Sequence, residues 1–135
     1  MSAASALQKA IFARLSGDAA LAALVGANGI TDRRIDAPAS PLVVIAGIDS
    51  TDHSTASEAG EAHSVTLEVW SGAGGHREAQ AIAALVRDAL HDAPLILDGH
   101  SLVLLLHRDT RLRRAEKSRF HRAEMRLRAV TEPES

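Results

Sequence analysis

Apolar positions recur along this chain with two different periods, and the switches between them divide it into elements. Leu7, Ala10, Ile11 and Leu15 repeat at helical spacing, with Gln8, Lys9 and Arg14 off that face, so residues 3–16 are expected to form a helix. Ser2 is placed to cap its start and Gly17 to end it. Asp18 then caps a short second helix over 19–24, closed by Gly26. The next stretch, 26–29, reads as a turn, residues 30–35 as a short strand and 37–41 as a loop.

Residues 42–49 are apolar on both faces, which predicts a central, covered strand. Residues 50–60, rich in Ser, Thr, Asp and Gly, read as a polar loop or a flared hairpin arm. From Glu61 to Ser71 the period is two: His63, Val65, Leu67 and Val69 point one way, Ser64, Thr66, Glu68 and Trp70 the other. After a glycine-rich turn at 72–75, Ala79, Ile82, Ala83, Val86, Ala89 and Leu90 build the apolar face of a helix over 76–91. Residues 101–110 form a further strand. In the last one, 119–130, Ala123, Met125, Leu127 and Ala129 alternate with Arg122, Glu124, Arg126 and Arg128. The highly basic 111–118 joins these two strands. The expected architecture is α+β: one mostly antiparallel sheet of about five strands with helices packed on one face, in a single domain covering 1–135.

Composition narrows the function classes. Hydrophobic residues are 46% and charged residues 24%, so this is a globular chain able to build a core. There is no cysteine, which removes disulfides, thiolate metal sites and thiol nucleophiles. The only aromatic residues of the Phe, Tyr and Trp class are Phe12, Trp70 and Phe120, too few for stacking bases along a strand. The longest apolar run, Leu102 to Leu106, is far short of the ~20 residues of a membrane span. Met1–Ser5 lacks a basic region followed by an apolar one, so the expectation is synthesis in the cytoplasm, with no membrane partner.

Candidate chemistry is thin. Seven histidines carry no i, i+2 or i, i+4 pairing, so no metal site is expected. The glycine-rich 72–75 lacks the Gly-Lys-Ser/Thr ending of a phosphate loop. No nucleophile-elbow Gly-x-Ser-x-Gly occurs, and the carboxylates near 49–61 sit in polar sequence. The expectation is a protein without catalytic residues or cofactors.

Charge is more informative. The net charge of −2 splits into 6 basic against 12 acidic groups in residues 1–100 and 9 basic against 5 acidic in 101–135. Such a split fits a nucleic-acid surface, or the acidic part of one subunit meeting the basic part of the next; with a net negative charge, self-association comes first. Arg108, Arg111, Arg113, Arg114, Lys117 and Arg119 form either a solvated segment or an arm that touches a polyanion or an acidic partner. Trp70 shares its strand face with Glu68. It reads as an interface anchor or as a side chain lying under a helix or loop of its own chain. The polar face of the last strand, Arg122, Glu124, Arg126 and Arg128, is suited to pairing across subunits.

Three stretches carry a family resemblance: Ala6 to Leu15 with Asp18 to Leu21; Glu58 to His63 leading into Leu67-Glu68-Val69-Trp70-Ser71 and Gly75 to Leu90; and Arg122 to Glu132. Together they resemble the small tail-completion, or tail-terminator, proteins of long-tailed phages and phage-derived gene transfer particles. The resemblance implies an α/β protein that assembles as a hexameric ring on the head-proximal end of the tail tube and stops tube polymerisation. The ring then offers a docking surface to the head's connector or stopper protein. DNA passes through its channel without sequence-specific binding. The polar stretches 50–60 and 111–118 would be the tube- or head-contacting arms. The family has no catalytic or binding motif to transfer residue by residue. The expected subunit interface (Glu68, Trp70, Arg122, Glu124, Arg126, Arg128) therefore rests on pattern. So do the partner or channel-mouth contacts (Arg108, Arg111, Arg113, Arg114, Lys117, Arg119).

Overall fold

The computed structural model describes residues 1–26, 28–33, 41–72, 75–114 and 120–134. Their order is α1 (Ala3–Ser16), α2 (Ala19–Val25), β1 (Ile30–Thr31), β2 (Leu42–Asp52), β3 (Glu61–Ser71), α3 (Gly75–Leu90), β4 (His100–Arg114) and β5 (His121–Pro133). The helix boundaries follow local chemistry. Ser2 Oγ accepts from the Ser5 amide at 3.1 Å, and Asp18 Oδ1 from the Leu21 amide at 3.0 Å, so each side chain satisfies one unpaired donor of a helix start. Gly26 closes α2 with φ +80°, a left-handed conformation that glycine adopts without a Cβ clash.

The five strands form one sheet in the order β1-β2-β3-β5-β4. Only β1 runs parallel to its neighbour, pairing Ile30 with Val43; every other pairing is antiparallel. The three helices share one face. Leu7, Ile11 and Leu15 of α1, Leu21 of α2 and Ile82, Val86 and Leu90 of α3 join Val43, Ile45, Val65, Leu67, Val69, Met125 and Leu127 of the sheet in one buried cluster. Each such side chain removed from water contributes roughly 1.5–3 kcal/mol, so this layer is the main source of stability. The apolar face expected of the third helix is the face that is buried.

The structure moves some boundaries. Residues 111–114 continue β4 and do not form a linker; residues 50–52 continue β2, leaving 53–60 as the hairpin turn. The short strand expected over 30–35 is Ile30–Thr31, with 34 and 35 outside the described residues. The centre of the sheet is β3, not β2. In β2 only Leu42–Ile45 is buried; a bulge between Ile45 and Gly47 follows, and Ala46 and Gly47 are exposed. The doubly apolar run has a local cause. On the sheet face away from the helices, Leu42, Val44 and Trp70 form a second small cluster, closed by Phe120.

A polar strut crosses the sheet near its other end. His63, 2% exposed, hydrogen-bonds Ser50 Oγ through Nδ1 at 2.7 Å and Thr131 Oγ1 through Nε2 at 2.9 Å. It thus ties β2, β3 and β5 together. Burial holds its pKa below the usual histidine value; Glu61 opposes this and His100 adds to it.

Two predictions follow from the packing. Trp70→Ala removes the largest member of the second cluster and should lower the unfolding free energy of the isolated chain by about 3–5 kcal/mol, read by chemical denaturation with circular dichroism. His63 resists protonation only when folded, so below pH ~6.5 the unfolded chain takes up the proton more readily. Stability should therefore fall as pH drops from about 7 through 6, more steeply than in a His63→Gln variant. Equal slopes for the two proteins would remove His63 as the cause.

Candidate functional site

The sheet face away from the helices is charged. Cross-strand register sets its side chains in rows across β3, β5 and β4: Trp70, Arg122, Arg113; Glu68, Glu124, Arg111; Thr66, Arg126, Asp109; Ser64, Arg128, Leu106. Glu68 opposes Glu124, a like-charge pairing that costs energy when left alone. Here each carboxylate holds its own arginine. Arg122 Nη1 donates to Glu68 Oε2 at 3.3 Å, and Arg126 Nη2 to Glu124 Oε1 at 3.4 Å. Trp70 Nε1 donates to Glu68 Oε1 at 3.4 Å, and the Arg122 guanidinium lies 5.6 Å from the Trp70 ring centroid. Glu68, Trp70 and Arg122 are therefore one network, and the tryptophan, 9% exposed, is covered by its own chain. The Arg126–Glu124 pair is well exposed and contributes under about 1 kcal/mol.

Of the arginines expected at partner contacts, Arg108, Arg111, Arg113 and Arg114 lie exposed along β4; Lys117 and Arg119 fall outside the described residues. Arg108 sits at a bulge between His107 and Asp109 and, with Arg126 and Arg128, lines a cleft of about 350 Å³ on the charged face. Asp49 and Asp109 line the same cleft. Asp109 Oδ1 is buried there and receives no hydrogen bond from the described residues. At the start of β5, the His76 and His121 rings pack at a tilt of 59° with centroids 4.0 Å apart. Partial burial, His76 and Arg114 hold the His121 pKa below its ordinary value.

Sequence reasoning missed the opposite end of the sheet. Asp52 pairs with Glu61, Glu61 with Thr131, and the cleft that they share with Glu132 and His100 measures about 190 Å³. The 53–60 turn, which carries Glu58, closes this end. The signal was present in the hairpin pattern of 50–61, but only the register with β5 brings Glu132 beside it. The end of β4 at Arg114 and the start of β5 at His121 stand at the other end of β3, ten residues on from Glu61, a span of about 33 Å.

Both ring nitrogens of His63 meet hydroxyls, Ser50 Oγ and Thr131 Oγ1. Among the described residues no three His, Asp or Glu side chains are grouped to hold a metal ion, and no helix is long and apolar enough to cross a membrane.

Comparison with known proteins agrees with a structural role. The family model for tail completion protein gp17 matches residues 9–132. A chain in the virion of a native gene transfer agent particle is similar in structure, with a TM-score of 0.88 and 37% sequence identity over 97% of this chain and 98% of that one. Among curated protein sequences there is no match. The family match over nearly the whole chain, and a fold shared end to end with a virion component, lead to one conclusion: the chain belongs to the tail completion protein gp17 family, a family of phage tail structural proteins.

Proposed function

We propose that this protein is a tail terminator of a phage or gene transfer particle. Copies of it assemble as a ring, six to a ring, on the head-proximal end of the tail tube. The ring stops tube polymerisation and presents the surface to which the head's connector docks, and DNA passes through its opening without sequence-specific contact. The observation that carries this reading is the end-to-end likeness to a virion chain, which covers 97% of this protein and 98% of that chain at 37% identity. The shape is consistent with it. A body whose two ends differ in charge joins its neighbours through unlike surfaces, and such heterologous contacts close into rings when the rotation between copies closes.

The test uses the full chain with tail tube protein. Native mass spectrometry should show a species near 85 kDa, six copies of 14.2 kDa, either alone or once tube ends are added. In electron micrographs, tubes polymerised in its presence should stop short and carry a ring at one end. Tubes that elongate equally with and without it would overturn the proposal.

A further inference from the structure

The two ends of the sheet carry opposite charge and cannot neutralise each other. At one end β4 is the last strand of the sheet and, among the described residues, pairs only with β5. The first half of its outer edge is covered: the Asp92 amide donates to the Leu105 carbonyl at 2.7 Å, and the His107 amide to His91 Nδ1 at 3.0 Å. Beyond that cover Thr110, Arg111, Leu112 and Arg113 are exposed, an edge that is both basic and partly apolar and that pairs with no further strand among the described residues; Arg114 continues it at the surface. At the other end stand Asp52, Glu58, Glu61, Glu132 and Glu134, with the Glu134 amide tied to the Gly99 carbonyl at 3.1 Å. Along the strands, Arg111 to Arg114 lie about 23–33 Å from Glu61, about three to four Debye lengths at physiological salt, so neither end feels the other strongly within one copy. A second copy offers each end its complement.

We propose that the arginine edge of β4, residues 110–114, docks on the acidic β2–β3 end of a second copy of this chain. This inference rests on the ring reading and names the lateral contact of that ring. It gives to the subunit interface the β2–β3 turn and residues 111–114, which the sequence offers as parts of tube- or head-contacting arms. The contact joins unlike surfaces at opposite ends of an elongated sheet, so it propagates in one direction around a closed ring. Arginine suits the edge because its planar fork holds carboxylates bidentately without losing its charge.

The test exchanges the charges. One full-length variant carries Arg113→Glu with Arg114→Glu; the other carries Asp52→Lys with Glu61→Lys. Arg113 faces Arg122 across the strand, so its reversal adds no like-charge pair there, and Asp52 faces Glu61, so both members reverse together. Thermal melts by circular dichroism confirm that each variant folds. Each variant alone should need about tenfold or more protein to assemble, by native mass spectrometry or by capping of tube ends, because like charges then meet across the contact. An equimolar mixture should recover the parent's assembly, since every reversed end then meets a complementary one. Variants that assemble as the parent does would overturn this contact and leave the ring in place, as would a mixture that stays dissociated. The contact would also fall if Arg113→Glu with Arg114→Glu abolished salt-dependent duplex DNA binding without changing assembly, since the edge would then face phosphate. A parent chain that forms no oligomer alone or on tube ends overturns the ring reading and this contact together.

Discussion

Everything that distinguishes this fold depends on one ladder, the unbroken antiparallel pairing of β3 with β5 from Glu61–Thr131 to Ser71–His121. It joins the middle of the chain to its last strand and pushes β4, the hairpin partner of β5, to the edge of the sheet. Its parity sends Val65, Leu67, Val69, Met125 and Leu127 toward the helices and Glu68, Trp70, Arg122 and Glu124 away from them. A slip of one residue would bury the charges and expose the core, so the apolar face holds the register firmly. The same ladder sets the 53–60 turn at one end of the sheet and Arg114 and His121 at the other.

The two sheet faces are stabilised differently. Toward the helices the energy is apolar burial, and the six buried positions of α3 are all Ala, Val, Ile or Leu. On the other face a small apolar cluster around Trp70 anchors one end, and charged rows extend from it. Those rows form a balanced set in which Glu68 and Glu124, opposed by register, are each held by an arginine. A face built this way remains water-compatible in a free subunit and keeps its side chains arranged for a partner. The bulges in β2 and β4 interrupt the regular ladder on either side of the β3–β5 pair, beside the cleft that Asp49 and Arg108 share.

For a virion structural protein the relevant chemistry is recognition of neighbouring proteins. Charge at the ends of a sheet can add orientation to such contacts and makes them salt-dependent. Arg111 and Arg113 lie on a strand held by pairing to β5, not in a free loop, so the sheet fixes their backbone positions. A preset surface loses less conformational entropy on docking than a segment that orders as it binds.

The amino-acid sequence by itself determined the local elements and the fold class. The caps at Ser2 and Asp18, the apolar face of α3 and the alternation in β3 and β5 are all short-range signals, carried within one or two turns or strand repeats. The family was legible as well, through stretches spread along the chain. Only the tertiary structure decided which strand is central, that Arg111–Arg114 are strand and not linker, and that Trp70 lies under Phe120 of its own chain. It also decided that Asp52, Glu61 and Glu132 meet at one end while the arginines collect at the other. The physical reason is range. Periodicity reports which face a residue shows, but its cross-strand neighbour depends on pairing between segments tens of residues apart, and that pairing is chosen by the core as a whole.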